Sequence, residues 1–240
     1  MGVAGSVVLV VGAGRGIGRA AAEMFAAEGA SGLVLASRNE AELMELEFKL
    51  ERRKGASVLA VPTDATDACS VARLLDAARN RFGRIDTLVY TAGVGVLKPF
   101  AETTADELAR LLQTNVVGAF NLCKAVLPLM EQQKSGRIIA LPGILGRVPM
   151  SQAAANCASK YARTGMVKSL SLEYKRAGVR VSLLHLGGVN SGFWDSIQMR
   201  VQRERMLTVD AAARAVLFAA RQDGEGVLNE IILQPESHQL

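Results

Sequence analysis

The chain has 240 residues, half of them apolar and 21% charged, enough for one compact core and unlike a disordered or fibrous polypeptide. Its formal charge of +5 is dispersed and only 5% of residues are aromatic, which leaves neither a basic stripe nor a stacking platform for nucleic acid. No stretch approaches the ~20 apolar residues of a membrane span, and no charged start followed by an apolar run marks a secretory signal.

The start, Met1-Gly2-Val3-Ala4-Gly5-Ser6, matches a loose myristoylation pattern, but it runs straight into an apolar run and reads as a lead-in. From there, short apolar runs alternate with longer amphipathic segments. Strands are predicted near 7–11, 32–37, 57–61, 86–91, 136–141, 179–185 and 228–233, and helices near 16–28, 39–54, 67–82, 104–133, 152–177 and 208–221. Gly29, Gly55, Gly83 and Gly178 each follow a helical segment, as a left-handed cap requires. Arg52-Arg53-Lys54 closes a charged helix where cations suit the dipole.

Residues 186–207, rich in Gly, Ser and Arg and holding the single tryptophan Trp194, read as a loop or short helix over a site. No linker or repeat divides the chain. The expectation is one α/β domain over 1–240: a Rossmann-type, doubly wound parallel sheet of about seven strands with helices on both faces. Cys69, Cys123 and Cys157 include no close pair, so reduced thiols in the cytoplasm are expected, with no metal cluster.

The first apolar run leads into Gly12-Ala13-Gly14-Arg15-Gly16-Ile17-Gly18 and then a helix. Glycines at such a junction allow a tight turn and let backbone N–H groups approach a pyrophosphate at the helix start. The spacing Gly12, Gly16, Gly18 is similar to that of the short-chain dehydrogenase/reductase family, and the resemblance extends over nearly the whole chain. Asp64, with Ala65 after it, resembles the family's adenine contact. Thr91-Ala92-Gly93 resembles its Asn-Ala-Gly motif, and Asn115 its active-site asparagine. Lys160 ends a Tyr-x-x-x-Lys-like motif, and Gly187, Val189 and Ser191 fall in a loop like that around its nicotinamide. The resemblance implies a bound dinucleotide and a homodimer or homotetramer, with Ala119, Ala125, Ala158 and Ala162 permitting close helix contact.

The second strand ends Leu35-Ala36-Ser37-Arg38, without the acidic residue that binds the 2′-hydroxyl of NAD(H). Arg38 and Arg15 are available for a phosphate, which favours NADP(H).

The catalytic positions depart from the family. Asn156 stands where the motif has its tyrosine, four residues before Lys160, and Gly143 stands where the serine is usual. An amide has no proton to give near neutral pH, whereas a phenol can be tuned to do so. Positions 156 and 160 share a helix face; Tyr161 is rotated ~100° away from it. Cys157 and His185 read as structural residues. Two functions stay open: an NADP(H)-dependent oxidoreductase on a carbonyl or alcohol with impaired catalysis, or a non-catalytic nucleotide-binding sensor or inactive subunit. An isomerase or lyase on this fold has no residue in its favour.

Overall fold

The computed structural model describes residues 2–52, 56–197 and 199–237. Seven strands form one sheet: β1 (Val7–Val11), β2 (Gly32–Ser37), β3 (Ser57–Pro62), β4 (Thr87–Tyr90), β5 (Gly136–Ala140), β6 (Val179–Leu186) and β7 (Glu230–Leu233). All pairings are parallel, in the order β3-β2-β1-β4-β5-β6-β7. After β1 the chain winds outward to β2 and β3, then returns to the other side of β1 for β4. That reversal opens a crevice beyond the carboxyl ends of β1 and β4.

Successive strand residues point to opposite faces, and each face has its own helical layer. Val8, Val10, Leu33 and Leu35 pack with Phe25 of α1 (Gly16–Ala27), Leu43 and Leu46 of α2 (Glu40–Glu51) and Val216 of α7 (Val209–Arg221). Val7, Leu9, Val11 and Val34 pack with Leu74 of α3 (Ala68–Phe82), Leu122 and Val126 of α5 (Gly118–Gln133) and Val167 of α6 (Ala154–Tyr174). With both faces covered, the strands are continuous apolar runs rather than alternating ones. Each fully buried Leu or Val contributes roughly 1.5–3 kcal/mol. Ala119 belongs to this second core, whereas Ala158 and Ala162 are exposed.

Helix stops follow the glycines: Gly29, Gly83 and Gly178 have φ of 81°, 72° and 77°. Gly55 and part of the basic triplet before it lie outside the described residues. The segment expected as one helix over 104–133 is instead interrupted. α4 (Ala105–Leu112) starts from a Thr104–Glu107 capping box. A π-helical turn, Gln113–Val117, then precedes α5, with the Gly118 N–H bonding Gln113 O five residues back. Such an inserted residue breaks the helical register and turns Asn115 inward. α6 begins two residues later than expected, because Gln152 has φ 61° and is not helical. No helix among the described residues is long and apolar enough to cross a membrane.

Candidate functional site

A cavity of about 540 Å³ occupies the crevice. Every residue singled out by the motifs borders it, from Gly12 to Ser191, with one exception: Asn115 stands behind the wall.

The glycine turn is built by close approach. Gly12 and Gly16 have φ of 89° and 57°, open to glycine at no steric cost. A Cβ on Gly18 would lie 2.1 Å from Gly12 O, and one on Gly12 would lie 2.5 Å from Thr91 Oγ1. The Thr91 hydroxyl donates to Val11 O at 2.8 Å, fastening the exit of β4 to the turn. α1 has neither a capping side chain nor an acidic residue in its first turn. Its leading N–H groups therefore face the cavity as an anion site, which fits a dinucleotide pyrophosphate.

At the α2 end, Arg38 and Asp64 border the cavity. Asp64 accepts from Thr66 N at 2.9 Å and Thr66 Oγ1 at 2.8 Å. The Thr66 backbone bond, more than the nearby Arg38 charge, holds its carboxyl below the usual range. The Arg15 guanidinium lies against the loop after β6, where a Cβ on Gly192 would be 3.4 Å from its Nη1. One acidic group also stands here that the strand end gave no sign of. The first turn of α2 brings Glu42 over Gly14, whose Cβ would meet Glu42 Oε2 at 2.4 Å.

At the α6 end, Asn156 and Lys160 both border the cavity, as their spacing predicts. Lys160 is only 8% exposed, and burial first, then the charge of Arg163, hold its ammonium well below the usual lysine range. Arg163, one turn further on, is fully buried and was not legible as a site residue. Its Nη2 donates to Leu141 O and its Nη1 to Ala92 O at 3.2 Å, while its Cζ lies 5.5 Å from the Tyr90 ring centroid. It thus ties the exits of β4 and β5 together from behind, and burial lowers its pKa to about 10.

Asn115 is a clamp. Its Oδ1 accepts from Val94 N at 2.9 Å, and its Nδ2 donates to Val94 O and Ser159 Oγ, each at 2.9 Å. Ser159 in turn donates to Asn156 O at 2.8 Å. The π-turn, the loop after β4 and α6 are locked by this chain of bonds.

Gly143 is more than a missing side chain. Its φ of 74° and ψ of 175° lie in a region adopted almost only by glycine. Its N–H bonds Leu184 O at 3.4 Å and its carbonyl meets His185 Nδ1 at 3.2 Å. His185 is buried and does not border the cavity, in keeping with a structural role. Two phenols near the cavity are already engaged. The Tyr161 hydroxyl is spent on Arg147 O. Tyr90 donates to Thr114 O at 2.9 Å, and burial pushes its phenol up to about 12.

The family model for short chain dehydrogenase matches residues 6–202. The chain belongs to the short-chain dehydrogenase family. Sepiapterin reductase of Chlorobaculum tepidum is 32% identical over 237 residues, covering 96% of each chain. A metagenomic short-chain oxidoreductase solved in complex with NADP is 29% identical, with a TM-score of 0.83 over 97% of this chain and 98% of that one. The fold is also that of an alcohol dehydrogenase from the archaeon Thermococcus sibiricus complexed with 5-hydroxy-NADP, with a TM-score of 0.89 at 24% identity over 98% of each chain. The short-chain dehydrogenase family binds nicotinamide cofactors, and the glycine turn, the uncapped α1 and Lys160 fit such a group.

Proposed function

We propose that the cavity binds NADP(H), and that ordinary carbonyl–alcohol turnover in it is weak because Asn156 and Gly143 stand where the family has tyrosine and serine. The observation that carries this reading is the make-up of the α6 end. Among the described residues, Leu97, Leu141, Ile144, Leu145, Phe193 and Trp194 border the cavity together with Asn156 and Lys160, and the one phenol on its wall, Tyr90, is engaged by Thr114 O. Gly12, Arg15, Gly16, Ile17 and Gly18 would hold the pyrophosphate, and Asp64, Ala65, Ala92 and Gly93 the adenosine half. Lys160, Gly187, Val189 and Ser191 would hold the nicotinamide half. A bound nicotinamide supplies or accepts a hydride.

Carbonyl reduction develops charge on oxygen that a nearby acid must neutralise, a contribution of about 10²–10⁴ in rate. Asn156 offers a hydrogen bond but no proton, and burial holds the Lys160 ammonium well below the usual lysine range. Arg38 supports NADP(H) over NAD(H), because no hydrogen bond or ion pair among the described residues engages its guanidinium. Glu42 works against a 2′-phosphate, so the preference is expected to be moderate. Residues 186–207 would roof the substrate. The exposed Leu108, Leu112, Phe120 and Leu172 on α4 to α6 support a homo-oligomer.

The test is fluorescence titration with NADPH and NADH: saturable NADPH binding, tighter than NADH, is expected. Equal, millimolar-weak binding of both removes the cofactor assignment. A second reading, a nucleotide-binding sensor or inactive subunit without catalysis, is favoured by Gly143, whose φ and ψ disfavour a serine.

A further inference from the structure

One buried polar group that borders the cavity has an atom without a partner. Asn156 is 1% exposed, and no atom of the described residues bonds its Oδ1. A buried amide without its partner is costly and uncommon in a folded chain. Among the described residues, Leu97, Ile144 and Phe193 line the same cavity and carry no donor for that oxygen.

The space beside the amide is held by an aromatic ring. A Cβ on Gly95 would lie 2.3 Å from Phe193 Cζ and 3.3 Å from Asn156 Nδ2, so ring tip and amide crowd the same bare backbone. Phe193 belongs to a five-residue 3₁₀ turn, Gly192–Ser196, in the loop after β6, and its ring stands edge-on to Trp194 at 5.5 Å. A side chain on such a loop yields to a ligand far more readily than α6 does.

A carboxamide presents a donor edge and an acceptor edge side by side in one plane. A ketone would use the donor and leave the acceptor orphaned. A carboxylate would use the donor and repel the acceptor. A ring in which N–H adjoins C=O uses both at once, whichever edge of Asn156 is read as oxygen. We propose that Asn156 is a recognition residue for a planar lactam, which pairs with both edges of its amide while the ligand ring packs on Phe193 and Trp194. The inference rests on the nucleotide reading only for what fills the adjoining space.

The test is calorimetric titration of the full chain, with and without saturating NADPH, using carbostyril (a bicyclic aromatic lactam), its N-methyl derivative and tetralone. On the unaltered protein carbostyril is expected to bind about ten-fold more tightly than either comparison ligand, as one added hydrogen bond and one relieved acceptor imply. In Asn156→Leu the advantage should fall to within about two-fold. Asn156→Ala, which removes both edges, should also lose it, with thermal unfolding checked for both. An N-methyl derivative that binds the unaltered protein as well as carbostyril overturns the proposal, with no variant needed. So does an advantage that survives Asn156→Leu, or no binding of any of the three while NADPH still titrates. Absent NADPH binding with the lactam preference intact would instead remove the nucleotide assignment and leave this one standing.

Discussion

Gly143→Ser is the substitution that resemblance to the family invites and that the backbone resists. A Cβ there would have room, since its nearest neighbour is Leu186 O at 3.6 Å. The obstacle is conformational: φ 74° with ψ 175° costs a residue with a side chain about 1–3 kcal/mol. The turn cannot relax freely, because Leu184 O and His185 Nδ1 hold it from both sides. In a chain of this length about 1 kcal/mol lowers Tm by roughly 2–4 °C, so a fall of about 2–12 °C is expected. Gly143→Ala should fall by nearly the same amount, since the cost belongs to the Cβ and not to the hydroxyl. Urea and thermal unfolding of both variants measure it. A Gly143→Ser protein as stable as the unaltered one, to within about 0.5 kcal/mol, would show that this strand exit accepts a serine and would refute the reasoning.

Three further outcomes follow from the geometry. Lys160 is held below its ordinary range, so unfolding takes up a proton. Stability should therefore rise with pH toward the ordinary lysine value of 10.5, and that slope should vanish in Lys160→Met, which is also expected to unfold at a higher temperature at neutral pH. Denaturant titrations from neutral pH upward check both. Arg38→Ala should weaken NADPH binding by about 10-fold or more and leave NADH within about two-fold, whereas Glu42→Gln should tighten NADPH; paired fluorescence titrations read both. Gly18→Ala drives a methyl group to 2.1 Å from Gly12 O, so NADPH binding should be lost and stability should fall by about 1–3 kcal/mol.

The sheet was legible because both of its faces are covered. Runs such as Val7–Val11 had to be continuous, and each matched a strand. The position of Asn156 and Lys160 on one wall followed from helical spacing alone. What escaped was set by tertiary geometry. Nothing in Gln113–Val117 marks a π-turn: the bonds that Asn115 makes from it reach Val94, a residue 21 positions away. Gly143 read as a deleted hydroxyl, when its φ and ψ are the larger departure. Glu42 reached the cavity through the first turn of α2, which no reading of the end of β2 could place. Arg163 leaves only a faint signal in the sequence: a charged residue three positions after Lys160, on a buried face of α6.

The central claim is that the nucleotide cradle is intact while the groups that would handle a substrate oxygen are absent. Asn156→Tyr tests it most directly, through NADPH oxidation with a plain ketone at saturating NADPH, compared with the unaltered chain. The restored phenol should raise turnover by about 10²-fold or more. An unaltered protein that turns over as fast as the tyrosine variant would contradict the claim.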